Sequence, residues 1–386
     1  METIYLDNNS TTRVADEVIA AMQPFWKEQF GNPSSVHLLG QAARYAVETA
    51  REGVASLVGA RPREVIFTSG ATEANNLAIL GILAAHPTKR HIVTTAVEHV
   101  SVHSLAQRLA GRDYRVTFID VDSDGVLDLD ALKDSLGGET ALLSVMHANN
   151  ETGVVFPIRE IAEIAATRSV PLHVDAVQTA GKLPLDMRAL GANLLSLSSH
   201  KMHGPNGAGA LVVGPGMRLR SQGVGGHQER GLRPGTENVP AIVGFGTAAR
   251  MAANRSEADS MRVAALRDQL ERGLLDRVDF ARVIGRADAR ICNTTNVAFE
   301  ALEAEAILVG LSERGLCASS GAACSSGSLE PSHVLHAMGT PERIAHGAIR
   351  FSLSWDTTER EIEQALEIIP QVVAKLASLS TATGAE

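Results

Sequence analysis

The feature that most constrains the fold is a regular alternation of short β-branched runs with helix-length segments between about Val65 and Val213. The candidate strands are EVIFTS, HIVTT, RVTFID, ALLSVMH, PLHVDA, NLLSLS and GALVV. The amphipathic stretches between them predict helices over 73–85, 129–136 and 158–167. Such alternation predicts an α/β fold with a mostly parallel sheet. Functional side chains are then expected in the loops that follow the carboxyl ends of the strands.

A different pattern begins after Pro240, where a long helical stretch runs to about Leu275 and is followed by further strands such as TNVAFE and AIRFSLS. At 386 residues the chain is longer than one hydrophobic core usually serves. We therefore expect a large domain over residues 15–255. A smaller α+β domain is expected over residues 1–14 and 256–386.

Charge and hydropathy restrict the class of partner. The net charge is −9 and no block of lysines and arginines occurs, which argues against nucleic acid as the main partner. No apolar run approaches the roughly 18 residues that a membrane span requires. The start, METIYLDN, lacks a basic region followed by an apolar stretch. These features predict a cytoplasmic protein that acts on small molecules or proteins.

The chain has three cysteines, which occur in one stretch as Cys292, Cys317 and Cys324. Their odd number and spacing favour reduced thiols over a disulfide framework. Cys324 lies in SSGAACSSGS, a run without bulky side chains that is typical of a mobile loop. The other two are expected to be small buried thiols. Two close histidine pairs lack a metal-ligand pattern, so no metal site is expected.

Polar side chains follow the ends of several predicted strands. EVIFTS leads into a Gly70–Glu73 turn that opens a helix, which favours a bound phosphate, although Thr72 as a simple helix cap fits the same residues. Later strand ends place His99, Asn150, Asp175, Gln178, Ser198, His200 and Lys201. A pyridoxal phosphate enzyme needs a lysine for the aldehyde, a carboxylate for the ring nitrogen, and donors for the phosphate and ring oxygen. The strand ends supply each of these groups.

Longer motifs carry a family resemblance from LDNNSTT near the start to IRFSLS near the end. The chain resembles the cysteine desulfurases of the NifS and IscS type, which are class-V aminotransferase-like enzymes of pyridoxal phosphate fold type I. The nitrogen-fixation branch is the most similar. The motifs are NNSTT, GNPSS, FTSGATEANN, ANNETG, HVDAVQ, SSHK, GGHQERGLRPGTEN and SSGAACSSGSLEPSH.

The resemblance implies pyridoxal 5'-phosphate as the cofactor and gives roles to the residues around it. Lys201 would bind the cofactor aldehyde and later move a proton. Asp175 would meet the pyridine nitrogen and Gln178 the ring oxygen, while His99 would stack on the ring and exchange protons with thiols. The phosphate would be held by Ala71, Thr72, Ser198 and His200.

The resemblance also implies a reaction, a loop and partners. L-cysteine would become L-alanine and leave a persulfide on Cys324, within a catalytic loop at about 319–332. Asn150 and Arg350 would hold the substrate carboxylate, although Arg350 alone is equally typical of a charge at a strand edge. Thr236 would reach the phosphate of the neighbouring subunit, which implies a homodimer. A U-type iron–sulfur scaffold, with nitrogenase maturation favoured, is the implied sulfur acceptor.

Several alternatives fit parts of the sequence. A selenocysteine lyase or another class-V enzyme would share Lys201 and Asp175 but would not need a loop cysteine. A non-catalytic sulfur-relay scaffold is a second alternative. Gly244-x-Gly246-x-x-Ala249 matches a dinucleotide fingerprint, but without a preceding strand. Ser198-x-x-Lys201 matches a serine acyl-transferase motif without its companion motifs.

Overall fold

The computed structural model describes residues 3–321 and 332–383. In this part of the chain the strands are β1 (Ile4–Tyr5), β2 (Val65–Thr68), β3 (His91–Thr95), β4 (Arg115–Ile119), β5 (Thr140–Met146), β6 (Leu172–Asp175), β7 (Leu194–Ser198), β8 (Gly209–Val213), β9 (Ala281–Val283), β10 (Thr294–Phe299), β11 (Leu316–Cys317) and β12 (Ala348–Ser352). The α-helices are α1 (Asp16–Met22), α2 (Pro24–Lys27), α3 (Leu38–Leu57), α4 (Ala71–Ala85), α5 (Val100–Ala110), α6 (Leu129–Ser135), α7 (Ile158–Thr167), α8 (Val239–Ala253), α9 (Glu257–Arg277), α10 (Ala304–Ser312), α11 (His333–Ala337), α12 (Glu342–Ala345) and α13 (Glu359–Thr383). None of these helices combines the length and apolar character needed to cross a membrane.

The central sheet has the strand order β2-β8-β7-β6-β5-β3-β4 within the described residues. All seven strands predicted from the alternation are present, and the prediction of a mostly parallel sheet is confirmed. The exception is β8, which is antiparallel to both β2 and β7. Parallel pairing requires a crossover of about a dozen residues or more, usually a helix. The short segment 199–208 between β7 and β8 contains only one short 3₁₀ turn, so β8 returns antiparallel.

The predicted single helix after Pro240 is wrong, because the chain forms α8 and α9 with a break between them. The break is fixed by a capping box, in which Ser256 Oγ accepts from the Asp259 N–H at 3.3 Å and Asp259 Oδ2 accepts from the Ser256 N–H at 3.1 Å. The Gly244-x-Gly246 pattern lies inside α8 and not at a strand end. A Cβ on Gly246 would lie 2.4 Å from the Cα of Ala50, so this glycine allows α8 to pack closely on α3.

The hydrophobic side chains form separate cores around the central sheet and around the β12-β10-β9 sheet. The second core joins both ends of the chain, since it contains Leu6 as well as Phe351 and Ile369. Leu6 is brought there because β1 pairs in parallel with β11. The domain boundaries predicted at residues 14/15 and 255/256 remain a prediction.

The expectation that two of the thiols are fully buried is wrong. Cys292 and Cys317 are both free thiols, and each is partly exposed. Cys317 lies on the two-residue strand β11. Among the described strands, β11 pairs only with β1, which is equally short. Cys292 precedes β10 and lines a cavity together with Lys182. Burial raises the pKa of the Cys292 thiol, which favours its neutral form.

A buried ion pair between Arg51 and Glu229 ties the segment after β8 to α3. The two guanidinium nitrogens of Arg51 donate to the two carboxylate oxygens of Glu229 at 2.8 and 2.7 Å. Glu229 also accepts from the backbone N–H of Phe67 at 2.8 Å, and Arg51 donates to the carbonyl of Val65 at 2.9 Å. The pair therefore also holds the edge strand β2 in place.

We expect Arg51→Met to lower the free energy of unfolding by about 3–5 kcal/mol, because it leaves the Glu229 carboxylate buried without a counter-charge. The double variant Arg51→Met/Glu229→Met should lose less than the sum of the two single variants. Thermal and denaturant unfolding measure both effects. The control is Arg13→Met, which removes an exposed 3.6 Å pair with Asp16 and should cost less than about 1 kcal/mol. If the double variant lost as much unfolding free energy as the two single variants together, Arg51 and Glu229 would not stabilise each other.

Candidate active site

A cleft of about 1310 Å³ brings the predicted residues together beside the ends of β2, β3, β5, β6 and β7. Thr236 does not line it and is exposed on the segment before α8. Cys324 lies outside the described residues. The predicted residues that line the cleft are Ala71, Thr72, His99, Asn150, Asp175, Gln178, Ser198, His200, Lys201 and Arg350.

One end of the cleft is formed where β2 turns into α4. The N-cap residue is Gly70 and no side chain caps the helix, so the reading of Thr72 as a simple cap is wrong. The first backbone N–H groups of a helix lack partners within the helix and carry its positive dipole end. Gly209 on β8 allows close packing here, because a Cβ on it would lie 2.6 Å from the Gly70 Cα. This end of the cleft suits a phosphate.

Asp175 occupies the base of the cleft at the end of β6, where it is 5% exposed. Its Oδ2 accepts from Asn75 Nδ2 at 2.7 Å and its Oδ1 from the Val177 N–H at 3.0 Å. Both donors are neutral, and no cation forms an ion pair with Asp175 among the described residues. A buried carboxylate in this position is suited to pair with a cationic group bound in the cleft.

A hydrogen-bond chain sets the tautomer of His99. The backbone N–H of Ser101 donates to His99 Nδ1 at 3.2 Å, and Ser101 Oγ lies 2.8 Å from the same nitrogen. Because a backbone N–H can only donate, Nδ1 is the acceptor and the ring proton of neutral His99 is on Nε2. Ser101 Oγ in turn accepts from Asn75 Nδ2 at 2.9 Å. Burial lowers the pKa of His99, although the Asp175 carboxylate opposes this shift.

Lys201 extends from the short 3₁₀ turn after β7 toward the N-terminal segment. Its Nζ donates to the carbonyls of Asn9 at 2.5 Å and Ser10 at 2.6 Å. The N-terminal segment is held there because the Thr12 N–H donates to the carbonyl of His200 at 2.9 Å. Burial, together with Lys201 and His99, lowers the pKa of His200 to about 4, so its imidazole is neutral at pH 7.

Arg350 lies on β12, an outer strand of the β12-β10-β9 sheet, as a charge at a strand edge would, but it is only 4% exposed. Its guanidinium donates to Asp7 Oδ1 at 2.8 Å, to Ser10 Oγ at 2.7 Å and to the Asn150 carbonyl at 3.1 Å. Arg350 Nε and Asn150 Oδ1 are buried without a hydrogen-bond partner among the described residues. Unsatisfied buried polar atoms are rare in native proteins, and these two belong to residues that line the cleft.

The described residues on either side of 322–331 contact cleft residues or their direct chain neighbours. Ser319 and Arg350 exchange backbone hydrogen bonds at 2.7 and 3.3 Å. On the other side, Ser332 Oγ donates to Glu151 Oε2 at 2.6 Å and His333 Nε2 lies 2.9 Å from the carbonyl of Glu98. The segment that carries Cys324 therefore starts and ends beside cleft residues.

Sequence reasoning missed functional neighbours of the predicted residues. Asn9 lies in the NNSTT motif and Asn75 in FTSGATEANN, so both were within quoted motifs but had no assigned role. Glu98 directly precedes His99, and Lys182 follows Gln178 by four residues. Lys182 donates to Gln178 Oε1 at 2.9 Å, and burial lowers the pKa of its amine to about 7. No sequence pattern signals these contacts, because they depend on tertiary packing.

Comparisons with known proteins agree with this geometry. The family described as Aminotransferase class-V matches residues 4–365. The chain belongs to this family. It is 52% identical over 380 residues to "Cysteine desulfurase 2" of Trichormus variabilis, covering 98% of this chain and 95% of that protein. It is 49% identical over 381 residues to "Cysteine desulfurase NifS" of Azotobacter vinelandii, with the same coverage of both chains.

Solved structures of similar proteins have the same fold. A structure named "NifS-like protein" has a TM-score of 0.91 and 37% identity, covering 97% of this chain and all of that one. A NifS-like protein from Rickettsia africae has a TM-score of 0.87 and 32% identity, covering 96% and 99% of the two chains. The chain thus has fold type I of the pyridoxal phosphate-dependent enzymes.

The class-V aminotransferase family depends on pyridoxal 5'-phosphate, and the cleft residues fit this group. The uncapped start of α4 suits the phosphate. Asp175, with only neutral donors, suits a protonated ring nitrogen. The unsatisfied Asn150 Oδ1 and Arg350 Nε remain available for a bound ligand.

Glu98 is fully buried beneath the cleft, at the end of the segment after β3. Its Oε1 accepts from Thr95 Oγ1 at 2.8 Å and from the Met146 N–H at 2.9 Å. Its Oε2 has no hydrogen-bond partner among the described residues. Burial, reinforced by the charge of Asp175, raises the pKa of Glu98 to about 8. Glu98 is therefore a neutral acid at pH 7.

We expect Glu98→Gln to gain stability relative to the parent chain as the pH rises. In the unfolded chain Glu98 loses its proton above about pH 4.5, whereas in the fold it keeps the proton up to pH 8, so its ionisation favours unfolding across this range. The variant lacks this ionisation. The difference in unfolding free energy between variant and parent should change by about 2–3 kcal/mol in favour of the variant from pH 5 to pH 7.

Thermal and denaturant unfolding at the two pH values measures this difference. The control is Glu163→Gln on α7, which replaces an exposed carboxylate and should show no comparable change. A Glu98→Gln variant whose relative stability is the same at pH 5 and pH 7 would show that Glu98 is ionised in the fold.

Proposed function

We propose that this protein is a cysteine desulfurase that converts L-cysteine to L-alanine and transfers the sulfur to Cys324. The observation that carries the proposal is that the Lys201 amine and the Asp175 carboxylate line one cleft, with the expected phosphate and carboxylate contacts around them. The relatives named cysteine desulfurase are about 50% identical over 98% of the chain, which supports the same activity here.

Pyridoxal 5'-phosphate, when bound, supplies an aldehyde for a covalent link to an amine and a ring that accepts electrons. We assign Lys201 to that aldehyde, Asp175 to the ring nitrogen, Gln178 to the ring oxygen and His99 to the ring face. Ala71, Thr72, Ser198 and His200 are assigned to the phosphate. Lys201 is also the base that removes the α-proton of the substrate, and its two carbonyl acceptors orient the amine for this task.

Arg350 and Asn150 are assigned to the substrate carboxylate, for which a charge-assisted bond contributes about 1.5–3 kcal/mol. The Cys324 thiolate attacks the substrate sulfur, so that a sulfur–sulfur bond forms and the carbon–sulfur bond breaks. The carbon is reduced as the sulfur is oxidised, which requires no external oxidant. The Nε2 proton of His99 is available for exchange with the thiols.

The length of the chain allows Cys324 to reach the cleft. Ser319 is fixed to Arg350 by two backbone hydrogen bonds, and Cys324 follows it by five positions in the chain. An extended chain spans at most about 3.6 Å per residue, so Cys324 lies within about 18 Å of this anchor.

The decisive experiment compares Lys201→Ala and Cys324→Ala with the parent enzyme. Alanine formed from L-cysteine should fall by about 10³-fold or more in Lys201→Ala, because both the covalent link and the base are lost. In Cys324→Ala the visible absorption of the bound cofactor should persist, while transfer of labelled sulfur to the protein should disappear. Quantified alanine, a visible spectrum and the position of the label provide these readouts.

Other functions give different results in the same experiment. A selenocysteine lyase or another class-V enzyme would retain turnover of its substrate in Cys324→Ala, and a sulfur-relay scaffold would form no alanine even in the parent protein. The control variant Cys317→Ser should keep both activity and labelling. Labelled sulfur on Cys317 in the parent enzyme would refute the choice of nucleophile.

We propose further that the protein is a homodimer in which Thr236 contacts the phosphate bound by the partner subunit. Large apolar side chains are exposed along segment 26–45, with Trp26 65%, Val36 87% and Leu38 83% exposed. Exposed apolar side chains of this size, close together in the chain, are typical of an interaction surface. Thr236 is itself exposed, which leaves it accessible to a second copy.

We expect Val36→Asp/Leu38→Asp to give monomers, because a charge buried in an apolar interface is costly. Sedimentation should show the parent at twice the chain mass and the variant at the chain mass. The variant should also bind pyridoxal 5'-phosphate more weakly if Thr236 acts across the interface. Val309→Asp, a change at an exposed apolar residue on α10, is the control and should remain a dimer. A monomeric parent would refute the proposal.

We also propose a cytoplasmic location and a U-type iron–sulfur scaffold as the sulfur acceptor, with nitrogenase maturation as the favoured pathway. The support for the acceptor is the likeness to the NifS branch, including the relative from Azotobacter vinelandii. The support for the location is the reduced state expected for the three cysteines.

A further inference from the structure

Lys182 contacts Gln178, which lines the cleft, and itself lines a neighbouring cavity. It follows Gln178 by four residues, and its Nζ donates to Gln178 Oε1 at 2.9 Å and to Asn9 Oδ1 at 3.1 Å. No carboxylate forms an ion pair with it among the described residues. The charged groups that affect its pKa are the Cys292 thiol, Lys201 and Arg350. The proposed function assigns no role to Lys182.

The contacts of Gln178 determine which end of its amide faces which neighbour. An ammonium has donors only, so the amide atom facing Lys182 must be the oxygen. A carbonyl has acceptors only, so the amide atom 3.1 Å from the Asn9 carbonyl must be the nitrogen. Two independent partners therefore select the same orientation. The second N–H of Gln178 is left to donate to a ligand in the cleft, which Gln178 lines.

We propose that Lys182 is a positioning residue that fixes the side-chain amide of Gln178 so that Gln178 donates a hydrogen bond to the ring oxygen of the cofactor. The proposal rests on the assignment of Gln178 to that oxygen. Without Lys182, Gln178 Oε1 loses its donor and only the Asn9 carbonyl still orients the amide, so the orientation of Gln178 is less well fixed. A ring oxygen that loses its hydrogen bond changes both the affinity for pyridoxal 5'-phosphate and its absorption.

The experiment is a double-variant cycle with Lys182→Met and Gln178→Ala in the full-length protein at pH 6, where Lys182 is protonated. The readouts are the dissociation constant of pyridoxal 5'-phosphate for the cofactor-free protein and the visible absorption maximum after binding. With Gln178 present, Lys182→Met should weaken binding about tenfold and shift the absorption maximum. In the Gln178→Ala background the same change should alter binding less than about twofold.

The controls separate positioning from charge and folding. Lys182→Arg keeps donors only and should restore most of the affinity and the parent absorption maximum, whereas the exposed Lys133→Met should change neither. If Lys182→Met does not fold, Lys182→Gln takes its place, because its amide can both donate and accept and should give a smaller loss in the same cycle.

Equal effects of Lys182→Met with and without Gln178 would overturn the proposal, since they would mean that Lys182 acts through its charge alone. An unchanged affinity and absorption in Lys182→Met would overturn it as well. A Gln178→Ala variant that binds and absorbs like the parent would instead refute the assignment of Gln178 to the ring oxygen. The loss of alanine formation in Lys201→Ala would still support the proposed desulfurase.

Discussion

The backbone and side chain of Asn9 connect the seven-stranded central sheet with the three-stranded β12-β10-β9 sheet at the cleft. Its carbonyl accepts from Lys201 and Gln178, which follow strands of the central sheet. Its N–H donates to Ser352 Oγ on β12 at 2.9 Å, and its Nδ2 donates to Thr294 Oγ1 on β10 at 2.8 Å. Because Asn9 is 1% exposed, these bonds form away from water, where an unpaired group is costly. Asn9 therefore helps to fix the position of the Lys201 amine relative to Arg350, together with Ser10, which contacts both side chains.

The sequence predicted the fold where the pattern is local. Strands such as β6 and β7 are short runs of Val, Leu and Ser bounded by polar turns, which the alternation detects directly. The antiparallel direction of β8 depends on the length of one connection, and the break between α8 and α9 depends on the Ser256 capping box, which the helical periodicity around it obscured. Neither the direction of β8 nor the helix break could be predicted, because apolar periodicity reports which face is buried and carries little information about strand direction or helix ends.

For the candidate site, sequence reasoning found the residues that follow strands and missed the residues that support them. Lys201 and Asp175 could be predicted because a lysine or a carboxylate next to a buried strand needs a chemical reason. Asn75 and Glu98 contact the same site but belong to a helix and to a turn, where an amide or an acid is unremarkable in sequence. Their roles follow from hydrogen bonds between residues up to 100 positions apart.

Burial around the cleft shifts the pKa of weak acids and bases toward their neutral forms. It raises the pKa of Glu98 to about 8 and lowers that of His200 to about 4 and that of Lys182 to about 7. Arg350 forms an ion pair with the Asp7 carboxylate. The Asp175 carboxylate lines the cleft and accepts from Asn75 Nδ2 on α4 at 2.7 Å. An anionic phosphate at the start of α4, a cationic ring beside Asp175 and a substrate carboxylate beside Arg350 would thus each meet a group of opposite charge. Among the described residues, the ring would not have to displace an ion pair of Asp175.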